Sequence, residues 1–291
     1  MASLKEVKIR INSVSSTRKI TSAMKLVASS KLHKAQSTIE SMRPYQQRLN
    51  AILSHFVKDL ECDFNSSFTE IREKKKVIIV CISSNSSLCG AFNSNIIKST
   101  VQTIDYLQQS NIEYEVVSIG AKIADKITRL KIKNTTNQSK LLDNTSYSDV
   151  ASLANSLITR FLNKEVDNVV LIYNHFKSTA TQIVTKEDFL PLEMSFDKDK
   201  DNNLSRLLSD YIVEPSKREI LDSLLPKVLC LRLYTAILDS LAAEHAARVV
   251  AMQTATDNAD QLLHELTLMY NKTRQAAITA ELLDIVGATF Q

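Results

Sequence analysis

Both ends of this chain place apolar residues at alternating intervals of three and four, for longer than a single globular core can use. The first series runs from Leu4 through Val7, Ile11, Val14, Ala28, Leu32, Ala35 and Ile39 to Phe56 and Leu60, and thirteen of its seventeen positions are apolar. The second runs from Leu231 through Leu238, Leu241, Met252, Ala255, Ala259, Leu262, Leu266, Met269, Ala276 and Ala280 to Leu283, with thirteen of sixteen apolar. A 3.5-residue repeat lines one face of an α-helix, and two such helices bury those faces against each other with a left-handed twist. Pro226 suits the first turn of the second helix and Gly287 its stop. Nothing between them breaks it, so at 1.5 Å per residue it is expected to be roughly 90 Å long. Glycine agrees with this picture. The chain has only three in 291 residues, against an average usage of about 7%, so it makes few tight turns.

Each series is interrupted. The first holds Arg18, Thr21 and Lys25, while Ile20, Ala23, Met24 and Val27 form a shifted apolar stripe. The helix face is expected to rotate there toward something other than its usual mate. Pro44 falls inside the same helix, where proline costs ~3 kcal/mol and bends or breaks it. The second series holds His245 and then Arg248 at consecutive seam positions, within EHAARVVAMQTATDNA. If the two helices leave one side of the intervening module they run antiparallel, and the two weak sections are expected at similar height.

The middle of the chain has a different period. KKVIIVCIS and NVVLIYNHF are continuous β-branched runs, as in strands buried on both faces, and YEVVSIG is a shorter third. QIVTKEDFLPL reads as a fourth strand, at an edge because of Pro191. Helical stretches lie between them near 93–109, 121–130 and 148–165. The expected fold class is α/β: a long antiparallel coiled coil of the N- and C-terminal helices plus a small Rossmann-like α/β domain with a mostly parallel sheet. The expected organisation is 1–60 for the N-terminal coiled-coil helix, 74–195 for the α/β domain and 204–287 for the C-terminal helical region. FDKDKDNN, at 196–203, reads as a polar linker.

Composition narrows the chemistry. The formal net charge is only +4, yet residues 1–58 hold eleven bases and only two acids, Glu6 and Glu40. That segment suits an acidic partner: a nucleic acid, an anionic membrane or an acidic protein surface. Cys62, Cys81, Cys89 and Cys230 form no C-x-x-C pair, which points to a reducing compartment and away from zinc or a disulfide framework. No run approaches the ~20 apolar residues of a membrane span. The N-terminus is basic and serine-rich like a transit peptide, but the heptads begin at Leu4, so it reads as mature structure. SSNSSLCGAFNSN follows the first strand, where a Rossmann-like fold would bind phosphate. It has one glycine and neither phosphate-binding fingerprint, which favours an ordinary turn capped by Asn93 or Ser94. No histidine has metal-ligand spacing and no nucleophile elbow occurs. Two classes remain: a mechanical or scaffold protein built on a coiled coil, and a nucleic-acid binder with a basic helix.

Longer stretches carry a resemblance. MASLKEVKIRINSVSSTRKITSAMKLVASSKLHKAQ, RPYQQRL, SLCGAFNSN, EPSKREILDSLLP and LDSLAAEHAARVVAMQTATDNADQLLHELTLMYNKTRQAAITAELLDIVGA resemble the gamma-subunit family of the bacterial rotary F-type ATP synthase. SSNSSLCGAFN stands where that family has T-S-D-R-G-L-C-G-G-F-N, and TRKIT where it has T-Q-K-I-T. The resemblance implies a central rotor shaft with no catalytic site of its own, coupling proton flow to ATP synthesis or hydrolysis on partner subunits. It implies three alpha and three beta subunits per shaft, with epsilon and the membrane ring of c-subunits below. ATP, ADP and magnesium would sit on the partners and no cofactor on this chain. Nucleic acid is not implied, and the membrane is reached only through the complex, at the cytoplasmic face of the bacterial inner membrane. Carried over motif by motif, the subunit-contact and torque residues are Lys19 and Met24 in TRKITSAMKLV, Arg248 and Gln253 in HAARVVAMQ, and Arg274, Gln275, Thr279 and Glu281 in KTRQAAITAEL. A thiol switch of the chloroplast type is not expected, and Arg248→Ala is expected to weaken coupling more than it unfolds the chain.

Overall fold

A computed structural model describes residues 4–59, 67–132, 135–192, 214 and 216–289. Two long helices, α1 (Leu4–Asp59) and α5 (Lys217–Thr289), flank β1 (Lys76–Ile82), α2 (Phe92–Gln109), β2 (Glu113–Ile119), α3 (Ala121–Arg129), β3 (Thr135–Asn137), α4 (Tyr147–Leu162), β4 (Asn168–Phe176) and β5 (Gln182–Leu190). The chain divides into two compact units: Met1–Ser30 with Arg248–Gln291, and Lys31–Ala247.

The larger unit is built on a five-stranded sheet in the order β3-β2-β1-β4-β5. The first four strands are parallel, and β5 runs antiparallel to β4 at the edge. The continuous apolar runs follow from two covered faces. Val77, Ile79 and Cys81 of β1 point to α2 and α3, meeting Ile96, Ile104, Ile123 and Ile127. Ile78, Val80 and Ile82 point the other way, to Leu157 and Phe161 of α4 and to Leu225, Leu229 and Leu233 of α5. Residues of one strand alternate between faces, so a strand covered on both sides is apolar throughout. Three-residue β3, exposed along its length, was not expected from sequence. It is too short to show alternation.

Within this unit the two long helices meet through the expected seams. Leu32 and Ala35 of α1 cluster with Ala242 and Ala246 of α5, and Leu53 joins the sheet core. The expected seam position Leu60, the side chain of Phe56, Cys62 and the FDKDKDNN linker lie outside the described residues. α1 runs unbroken through Pro44.

Both expected ends of the last helix move. α5 starts at Lys217, so Pro226 lies inside it. The start is set by Ser216, whose hydroxyl accepts from the Glu219 backbone N–H at 3.3 Å and donates to the Glu219 carboxylate at 3.1 Å, using the S-x-x-E capping pattern. That cap outweighs proline's preference for a first turn. Gly287 does not stop the helix, which continues to Thr289. A helical glycine costs only ~1 kcal/mol relative to alanine.

An ion pair ties β2 to α4. Arg160 donates to Glu115 through Nη2 at 2.6 Å and Nη1 at 3.2 Å, both groups being partly buried. Those bonds hold the Glu115 carboxyl below its ordinary value of 4.5. A depressed folded value means the stabilisation is fully present above pH 4.5 and is lost as pH falls through the lower folded value. Glu115→Gln is expected to lower stability at pH 7 by about 1–2 kcal/mol. Its unfolding free energy should also fall less steeply than that of the wild type below pH 4.5. Denaturant titrations of both proteins across an acid series measure this.

Candidate functional site

All eight residues singled out from sequence, from Lys19 to Glu281, belong to the smaller unit. There α1 and α5 pair antiparallel, and the three polar positions of the α1 seam each find a polar partner. Arg18 Nη1 donates to Asp260 Oδ1 at 2.8 Å. Thr21 Oγ1 lies 2.9 Å from Thr256 Oγ1. Lys25 Nζ donates to Gln253 Oε1 at 2.7 Å. The Gln253 amide passes this on, donating through Nε2 to Asp257 Oδ1 at 2.6 Å. One amide therefore links a cation on α1 to an anion on α5, and its orientation is set by both. The threonine hydroxyls also lie near main-chain carbonyls, Arg18 O at 3.0 Å and Met252 O at 2.8 Å. Either threonine can donate to the other while the other donates to its own helix.

The expected rotation of the helix face does not occur. Thr21 is buried, Arg18 and Lys25 are half-buried, and Ile20 and Val27 of the shifted stripe are 60% and 57% exposed. A seam position need not be apolar when the facing helix supplies a hydrogen-bond partner. The two weak sections do not meet either: Arg18, Thr21 and Lys25 face Asp260, Thr256 and Gln253. The signal was present in the sequence. Steps of three and four up α1 are met by polar residues at steps of four and three down α5.

The α5 seam in this unit is half as expected. Met252, Ala259 and Leu266 are buried. Two further positions shift by one residue, since Leu262 and Met269 are exposed while Leu263 and Tyr270 are half-buried. A 100° step per residue makes adjacent positions nearly equivalent by period alone, and the partner helix selects between them.

The candidate residues separate by exposure. Lys19, Arg274, Gln275, Thr279 and Glu281 are exposed. Met24 and Gln253 are half-buried, and Arg248 is only 9% exposed. Thr279 donates its hydroxyl to the Gln275 carbonyl at 2.8 Å, within its own helix.

In the larger unit, the turn after β1 occupies the place where a doubly wound fold binds phosphate. Ala91 precedes α2 and the helix has no side-chain cap, contrary to the expected cap by Asn93 or Ser94. Asn93 turns back instead, its Oδ1 accepting from the Ser84 backbone N–H at 3.1 Å. Ser94 donates to the Ala91 carbonyl at 2.9 Å. The first amides of α3, the helix after β2, are engaged: Ala121 N–H by Asn85 Oδ1 at 3.0 Å, Lys122 N–H by the Ser84 carbonyl at 3.2 Å, and Ile123 N–H by Ser83 Oγ at 3.1 Å. A helix N-terminus whose amides are occupied has lost its means of holding an anion. Gly120 permits this closeness, since a Cβ there would stand 2.5 Å from the Ser83 carbonyl oxygen. Cys89 and Phe92 of the turn pack on Ala243 and Ala247 of α5. Ala91 stands where the related pattern has glycine. Its φ of −82° is open to any residue, so that departure costs no strain.

Asp239 of α5 was missed from sequence. Its carboxylate accepts from the Phe176 backbone N–H at 3.1 Å and lies 2.5 Å from His175 Nδ1, fastening the end of β4 to the helix. No sequence period marks a carboxylate that bonds to a strand end. Among the described residues, no cluster of histidine, cysteine or acidic side chains could hold a metal ion, and no helix is long and apolar enough to cross a membrane.

Residues 3–289 match the ATP synthase family. The chain is 50% identical over 290 residues to the ATP synthase gamma chain of Phocaeicola vulgatus, covering 99% of each. It is 48% identical over 301 residues to that of Bacteroides thetaiotaomicron, covering all of both. Among solved structures it is similar to a chain of the central stalk and c-ring of the Tetrahymena thermophila mitochondrial ATP synthase. That match has 26% identity and a TM-score of 0.56, over 81% of this chain and 99% of the other.

Burial separates two roles that the sequence leaves together. Arg18→Ala is expected to change stability by no more than about 1 kcal/mol, because its ion pair is 43% and 52% exposed. Arg248→Ala empties a buried seam position and is expected to cost about 2–3 kcal/mol. Thermal melts of the full chain followed by circular dichroism compare the two.

Proposed function

The chain belongs to the ATP synthase gamma-chain family, and on that premise we propose that it turns as the central shaft inside a ring of three alpha and three beta subunits. It is a non-catalytic subunit of that enzyme. ATP, ADP and magnesium would be held by the partners, and rotation would carry the three catalytic sites through successive conformations as protons cross the membrane sector. The chain would stand at the cytoplasmic face of the inner membrane, against epsilon and the c-ring, with no nucleic acid involved.

One observation carries this reading. The last turns of α5 expose a run of large apolar side chains: Ile278, Leu282, Leu283 and Ile285, between 49% and 66% accessible, preceded by Leu268 and Met269. So much exposed apolar surface on one helix calls for a covering surface. Arg274, Gln275, Thr279 and Glu281 share that segment and supply polar contacts beside the apolar ones. Lys19 is exposed on α1 beside exposed Ile20. Exposed ion pairs contribute only ~0–1 kcal/mol each, so contacts to acidic partner loops would be made and exchanged easily during rotation. The buried and half-buried residues, Arg248, Gln253 and Met24, would serve by keeping the helix pair in register under torque.

Reconstitution with alpha and beta subunits tests the assignment. The expected result is one copy per three alpha–beta pairs and a raised ATPase turnover. DNA binding that falls steeply with salt, without such assembly, would sink it. The combined variant Leu282→Ser, Leu283→Ser, Ile285→Ser is expected to melt within about 1 kcal/mol of wild type, since the positions are exposed. It should lose at least tenfold in ATPase stimulation.

A further inference from the structure

The larger unit contains a cavity of about 280 Å³ between α1, the loop after β3 and α5. Leu238 and Leu241 of α5 and Leu142 of the loop give it an apolar floor, beside buried Tyr234. Lys31 and Lys34, one helical turn apart on α1, and His245 of α5 also line it. Neither lysine makes an ion pair among the described residues, and both are exposed. The loop also contributes Asp143, Asn144 and Thr145 to the lining. Asp143 accepts from Asn85 Nδ2 at 2.8 Å, and it is the single acidic side chain of the lining against the two lysines. Concave sites with an apolar floor and a few convergent polar groups are the general form of small-molecule sites.

We propose that this cavity binds a small organic anion: a flat apolar body on the leucine floor, with a phosphate or carboxylate held between Lys31 and Lys34. The site does not depend on rotor function. Both helices and the sheet module's loop line it, so an occupant would bridge all three and stabilise this unit in proportion to its affinity. It also gives His245, an expected seam position, a place in the cavity lining.

The test is isothermal titration of the full chain with 1-naphthyl phosphate, with inorganic phosphate and 1-naphthol as separate arms. The expected result is saturable one-site binding of the naphthyl phosphate, at least tenfold tighter than either fragment arm. The exposed substitutions Lys31→Gln and Lys34→Gln together should weaken it by about tenfold, and Thr38→Phe at the cavity wall should abolish it. Circular dichroism melts establish that each variant is folded. Equal affinity in the lysine variant and the wild type would overturn the proposal, as would the absence of saturable binding. Binding of inorganic phosphate as tight as that of the aryl phosphate would also overturn it, because the apolar floor would then contribute nothing.

Discussion

The larger unit depends on how closely α5 can be approached. Ala242 and Ala246 receive Leu32 and Ala35 of α1, while Ala243 and Ala247, one residue on, receive Cys89 and Phe92 of the turn after β1. Successive residues are 100° apart around a helix, so two pairs of methyl side chains open two adjacent faces at once. A third side of α5, earlier in the helix, carries the leucines that cover the sheet. A helix hemmed in this way has no solvent side to give to charge. Glu244 is 7% exposed as a result, and His245 lines a cavity beside it. The unusual run EHAARVV is therefore the imprint of several neighbours on one stretch of helix rather than a flaw in a coiled coil.

The smaller unit solves a different problem. Two helices bonded only by apolar contacts can slip by a heptad at little cost, because one leucine is much like another. A polar layer resists this: Arg18, Thr21 and Lys25 are satisfied by Asp260, Thr256 and Gln253 in one register only, and any slip would strand buried or half-buried polar groups. Net strength is modest, since such bonds replace bonds to water. What the layer adds is uniqueness, which a shaft needs more than excess stability.

A doubly wound sheet ordinarily offers a crevice beyond its carboxyl ends. Here the start of α3, the helix after β2, is bonded from within. Side chains of Ser83 and Asn85 and the Ser84 carbonyl occupy the first amides of α3, and the turn beneath is pressed against α5. The chain following β1 serves as a packing surface for α5. This explains why a module of Rossmann-like form can serve as an anchor for a long helix.

The two long helices, the strands other than β3 and the short α-helices were legible because period is a local property. Apolar residues spaced 3.5 apart demand a helix wherever the chain sits, and unbroken β-branched runs demand a strand with both faces covered. The family motifs likewise were readable as strings. The sequence by itself thus determined the elements, their kind and the need for an antiparallel pair. The tertiary structure alone decided which of two adjacent positions faces the seam, as Leu263 rather than Leu262 does. It also decided that Arg18 and Lys25 stay in the seam, and that Arg248 is buried while Lys19 is not. Each of those choices turns on which distant residue arrives opposite, and a one-dimensional period carries no information about the residue on the facing helix.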